Sequence, residues 1–143
     1  MTDPTFDMTP IGWVESPLTN RADAPKQGDE GAPPSRIVLR PGVREAARDL
    51  RVGDEMIVLT WLHEAARDVL AVHPRGDTTR PRMGVFATRS PDRPNPIGLH
   101  TVTIDAIDGD VLAVHNLEAI DGTPVLDLKP VLGPISERCH DKR

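Results

Sequence analysis

The 143 residues hold 22 acidic and 17 basic side chains for a net charge of −5, a single cysteine, and no apolar run near the roughly 20 residues needed to cross a bilayer. One domain of this length can close a core without staples, a lone thiol excludes an internal disulfide, and net acidity argues against general coating of nucleic acid, which depends on Lys and Arg neutralising phosphates. The opening residues show neither a basic region nor an apolar signal core, so a cytoplasmic, reducing location is expected.

In chain order, residues 11–16 form a short apolar segment stopped by Pro17 and read as a first strand. Residues 19–35 are polar and carry the pair Pro33–Pro34, which makes a long surface loop. Residues 36–40 read as a second strand. Val43, Ala46, Ala47 and Leu50 then recur at the i, i+3, i+4, i+7 spacing of one short amphipathic helix. After a turn at Gly53–Asp54, two β-rich runs, 55–63 and 67–73, are expected to pair antiparallel, and residues 74–82 form another loop. A strand is expected at 83–88. Residues 97–107 and 110–117 flank Asp108–Gly109, a hairpin signal because the turn needs positive φ at its centre. A second turn at 121–124 precedes a short strand at 125–128. Close strand spacing with one helix describes a mainly antiparallel β-sandwich or barrel. A single domain spanning 1–143 is expected, with its core at about 9–132 and a polar tail at 133–143 that holds Cys139.

The densest chemistry lies at residues 80–98, where Arg80, Arg82, Arg89 and Arg93 outnumber the single acid Asp92. A basic spot on an acidic body suits a carboxylate or a phosphate; a solvated arginine loop is the plainer alternative. Arg93 and Asn95 each precede a proline, which confines both to extended backbone. Such a segment is ordered before a ligand arrives, which lowers the entropic cost of binding. Asp121–Gly122 taken alone is a turn, and His63–Glu64 taken alone is a strand end reaching solvent. The five histidines and Cys139 form no short ligand pair, so no metal is expected. The chain contains no Gly-x-Gly-x-x-Gly and no alternation of strands with helices, which disfavours a doubly wound nucleotide fold.

The motifs Arg82-Met83-Gly84-Val85-Phe86-Ala87-Thr88-Arg89-Ser90, Arg93-Pro94-Asn95-Pro96-Ile97-Gly98, Asp121-Gly122-Thr123-Pro124-Val125 and Asp127-Leu128-Lys129-Pro130 closely resemble the TsaA-like family. The resemblance runs from Ile11–Gly12 through Pro25-Lys26-Gln27 and Trp61-Leu62-His63 to Leu132. It implies a compact β-barrel, a homodimer, S-adenosyl-L-methionine as cofactor, and methylation of N6 of N6-threonylcarbamoyladenosine beside the anticodon of tRNA. Carried over by motif, the cofactor contacts are Gln27, Gly28, His63, Glu64, Arg89, Leu99, His115, Asn116, Leu117 and Glu118. Arg89 suits the methionine carboxylate of the cofactor, and Leu99 and Leu117 suit the walls around its adenine. An exocyclic adenosine nitrogen must lose its proton to become a nucleophile; Asp121 is the expected acceptor and Glu64 its competitor. Asn95 is expected to orient the methyl acceptor. Two other functions stay open: methyl transfer to a small molecule, and a non-catalytic barrel that binds an adenosyl ligand or nucleic acid.

Overall fold

The computed structural model describes residues 3–20 and 33–133. Six strands, antiparallel throughout, close into a barrel: β1 (Gly12–Glu15), β2 (Ser35–Leu39), β3 (Glu55–Trp61), β6 (Ile97–Asp108), β7 (Val111–His115) and β8 (Pro124–Pro130), in the spatial order β1-β2-β7-β6-β3-β8. A separate two-stranded ribbon, β4 (Ala71–Val72) with β5 (Met83–Gly84), lies in the connection between β3 and β6.

Alternation explains why these segments are strands. Val14 on β1, Ile37 and Leu39 on β2, Met56 and Val58 on β3, Val102 and Ile104 on β6, and Leu112 and Val114 on β7 all point inward and are at least 97% buried, while their sequence neighbours face out. The β6–β7 hairpin turns at Asp108-Gly109-Asp110, where Gly109 has φ +59°, as the sequence signal requires. Register is irregular at two places. Asp105 is the extra residue of a bulge opposite β7, and the β3–β8 ladder shifts at Leu59/Thr60.

Three expectations are corrected. The helix at 43–50 is a single 3-10 turn, Arg44–Ala47, with Ala46 N–H bonded to Val43 O and Leu50 N–H to Ala47 O. Its apolar spacing is still used, because Val43, Ala47 and Leu50 pack against the core. A stretch this short gains too few bonds to nucleate an α-helix. Residues 67–73 do not pair with β3, since both edges of β3 are taken by β6 and β8; only Ala71–Val72 is strand, and it pairs with β5. The strand expected at 83–88 stops at Gly84 and gives way to a 3-10 turn, Val85–Ala87. Val85 N–H bonds Leu70 O there, which draws the chain off the β direction.

Candidate functional site

The inward face of the barrel changes character along β3 and β6. Near the start of β3 it is aliphatic; near its end, Thr60 of β3 and His100 of β6 replace the aliphatics at inward positions and are 0% and 4% exposed. A buried imidazole needs partners for both nitrogens. His100 Nδ1–H donates to Glu118 Oε1 at 2.6 Å, and His100 Nε2 meets Thr60 Oγ1 at 2.7 Å. Gly98 makes room for this pair: a Cβ there would stand 2.4 Å from Thr60 Oγ1 and 2.7 Å from His100 Nε2. Asn116, in the left-handed region at φ +70°, turns the chain out of β7, after which Leu117 enters the core and Glu118 reaches His100. Thr60 and His100 are not among the residues that the sequence motifs single out. The signal was present in the alternation Gly98, His100, Val102, Ile104, which places the histidine on the inward face.

Above this polar end lies an open cavity of about 1500 Å³. Its floor is His100, Glu118, Ala119 and Thr123, its apolar wall includes Leu59, Leu62, Ile97 and Leu99, and its rim carries Arg75, Arg80, Arg82, Arg89 and Arg93. The rim comes from the connection between β3 and β6, and side chains bonded to main-chain groups hold that segment. The Arg93 guanidinium donates to Val85 O and, at 3.1 Å, to Thr88 O. Asp92 Oδ1 accepts Ala66 N–H at 2.8 Å. Arg67 lies with its Cζ 5.1 Å from the centre of the Trp61 ring and donates to Pro94 O at 2.8 Å and to Asn95 Oδ1 at 2.9 Å. On the loop at 77–79, hydrogen bonds from the Thr79 hydroxyl and amide hold the Asp77 carboxyl below its ordinary range.

His63, Glu64, Arg89, Leu99 and Glu118, anticipated from four separate points in the sequence, line this one cavity. Leu99 is 45% exposed there, and the guanidinium of Arg89 has no bonding partner among the described residues. The other anticipated residues within the described part of the chain lie elsewhere. His115 sits on the outer wall and bonds through Nδ1–H to Asp105 Oδ1 at 2.7 Å. Leu117 is wholly inside the core. Asp121 is exposed and accepts the Ser16 N–H at 3.0 Å, tying the end of β1 to the turn before β8. Asn95 is engaged by Arg67 and does not line the cavity. Gln27, Gly28 and Cys139 fall outside the described residues. Among the described residues, no group of three or more His, Cys, Asp or Glu side chains is placed to hold a metal ion.

Comparison with known proteins agrees with this architecture. Residues 13–135 match the family described as tRNA-methyltransferase O N-terminal domain. A probable S-adenosyl-L-methionine-binding protein of Methanothermobacter thermautotrophicus is 44% identical over 130 residues, covering 91% of this chain and 93% of its own. An S-adenosyl-L-methionine-binding protein of Archaeoglobus fulgidus is 42% identical over 122 residues, covering 85% and 86%. The crystal structure of TrmO from Pseudomonas aeruginosa superposes with a TM-score of 0.72 at 27% identity, covering 98% of this chain. The chain spans 61% of that TrmO chain. A family match over most of the length, relatives above 40% identity and the same barrel lead to one conclusion: the chain belongs to the tRNA-methyltransferase O N-terminal domain family.

Proposed function

We propose that the protein is an S-adenosyl-L-methionine-dependent methyltransferase acting on N6 of N6-threonylcarbamoyladenosine next to the anticodon of tRNA. The observation that carries this reading is the cavity, where arginines at the rim, apolar side chains on the wall and a carboxylate on the floor face one space. These residues fit the proposed cofactor group by group. The guanidinium of Arg89, uncommitted among the described residues, suits a carboxylate, and the exposed faces of Ile97 and Leu99 suit a purine. The bound sulfonium supplies an activated methyl group. The protein's own contribution is then alignment: the barrel end holds the floor, and the Arg67 and Arg93 contacts hold the rim. Arg80 on the rim, whose guanidinium has no bonding partner among the described residues, suits the phosphates of an anticodon loop, and the rim arginines give the acidic chain a local basic patch.

A homodimer completes this reading. Phe86 is 84% exposed and Met83 38% exposed, and both line the cavity on the connection between β3 and β6, an apolar edge suited to cover by a second copy. Sedimentation at micromolar concentration should give a dimer; a monomer would remove this part. The function is tested by incubating bulk tRNA with methyl-labelled cofactor and digesting to nucleosides. Label is expected in N6-methylated threonylcarbamoyladenosine, and its absence from every nucleoside would reject a tRNA substrate.

A further inference from the structure

We propose that Glu118 is the group that takes the proton from the acceptor nitrogen, with His100 and Thr60 as the positioning residues that hold it; this rests on the methyltransferase reading above. The nitrogen in question lies between a purine ring and a carbonyl, and its lone pair is delocalised into both. It becomes a nucleophile only as its proton leaves, so a fixed acceptor within reach is worth a large part of the rate. Three carboxylates line the cavity, Glu64, Asp92 and Glu118, and with Asp121, the acceptor expected from the sequence, their surroundings separate them. Asp121 lies outside it and is engaged by Ser16. Asp92 is committed to the Ala66 amide and has a further partner. Glu64 sits exposed on the rim and also has a partner. Glu118 differs from all three. Its side chain is only 13% exposed, it lines the cavity floor, Oε1 is held by the buried His100, and Oε2 has no bonding partner among the described residues.

The hydrogen bond from His100 fixes the carboxylate in one orientation, and Thr60 fixes the imidazole from its other side. The glycine at 98 is the condition for that packing, since a side chain there would occupy the place of the Thr60–His100 contact. In the step, Glu118 Oε2 gains the proton from N6, the electron pair that held it forms the bond from nitrogen to the methyl carbon, and the pair of the broken carbon–sulfur bond remains on sulfur. The proton then passes from the Glu118 carboxyl to water.

The test compares Glu118→Gln, Glu118→Asp, Glu118→Ala and His100→Gln with the wild type in three measurements: cofactor affinity by calorimetry, single-turnover methyl transfer to tRNA, and the downfield imidazole N–H resonance. Glu118→Gln keeps the shape and the acceptor for His100 but cannot take a proton. It should bind the cofactor within about threefold of wild type and lose about 100-fold or more in single-turnover rate. Glu118→Asp should retain more rate than Glu118→Gln, and added formate should restore at least about tenfold of the rate lost in Glu118→Ala. His100→Gln should lose about tenfold in rate with unchanged affinity, and the downfield resonance with it. Wild-type rate in Glu118→Gln, absence of formate rescue, or affinity and rate falling together in Glu118→Gln would each overturn the assignment; the last would make Glu118 a cofactor ligand instead. A wild-type protein that methylates no tRNA nucleoside would reject the functional reading and this assignment together, whereas a methylating wild type with a fully active Glu118→Gln rejects the assignment alone.

Discussion

In the barrel, β3 is laddered on both sides by main-chain hydrogen bonds, to β6 and to β8; in the connection that follows it, residues 62–96, the only ladder is the two-residue pairing of β4 with β5. The connection is instead held by isolated main-chain bonds, such as Val85 N–H to Leu70 O and Arg93 N–H to Ala66 O, and by side chains reaching main-chain groups, as Arg67, Asp92 and Arg93 do. The barrel's inward face is close-packed and aliphatic apart from Thr60, His100, Ser35 and Thr123, while the connection exposes Leu70 and Phe86 at 70% and 84%. The division has a functional logic. Glu118 on the floor lies outside the strands but is held through His100 of β6 and Thr60 of β3, whereas the rim is held by clamps that can open locally.

This contrast is broken most severely from inside the barrel. Leu117→Ala should cost about 3 kcal/mol of stability in denaturant titration, the usual range for emptying a fully buried aliphatic site. If Leu117 instead walls the cofactor, the cost will be small and the loss will appear in affinity. Gly98→Ala comes next. The added methyl meets two short, buried polar side chains, so a loss of about 2 kcal/mol is expected, with the downfield His100 resonance displaced. Unchanged stability and an unmoved resonance would show that the barrel end yields more easily than its packing implies.

Substitutions in the connection should act locally. Arg93→Ala removes the donor to two carbonyls and should speed amide exchange and proteolysis around residues 85–90, with global stability lowered by only about 1 kcal/mol. A cooperative loss of several kcal/mol would mean that connection and barrel unfold as one. Arg89→Ala should leave the melting temperature unchanged and weaken cofactor binding by about 2 kcal/mol, roughly 30-fold, if its guanidinium meets a carboxylate. Equal affinity would return Arg89 to a solvated loop. The smallest effect belongs to Asp77. Its carboxyl is held below the ordinary value of 3.8, so the folded state binds that proton less readily than the unfolded chain. The stabilisation is present above that value and is lost as the pH falls through the lowered one. Because the group is fully exposed, the change should be seen only as a local NMR titration that Thr79→Val moves back toward normal.

The two regions also differ in how much of their structure is legible in the sequence. The barrel strands show in the sequence because inward and outward residues alternate at period two, as at Ile37 and Leu39 or Val102 and Ile104, and because Asp108–Gly109 allows little but a tight turn. In the connection the same kind of reading placed strands at 67–73 and 83–88, where the chain has a two-residue ribbon and a 3-10 turn. The bonds that shape it join residues far apart, such as Ala66 with Asp92 or Arg67 with Asn95, and no local pattern encodes them.

By itself the sequence determined the barrel class, the β6–β7 hairpin, the basic segment and the family. These rest on short-range properties: periodicity, turn stereochemistry, proline restriction and long contiguous motifs. Only the tertiary structure decided which polar residues share a space. It brought His63, Glu64, Arg89, Leu99 and Glu118 to one cavity, sent Leu117 into the core and His115 to the outer wall, and tied Asp121 and Asn95 to neighbouring chain. The reason is closure. Until six strands join into a ring, nothing distinguishes the aliphatic start of β3, at Met56 and Val58, from the end where Thr60, His100 and Glu118 meet.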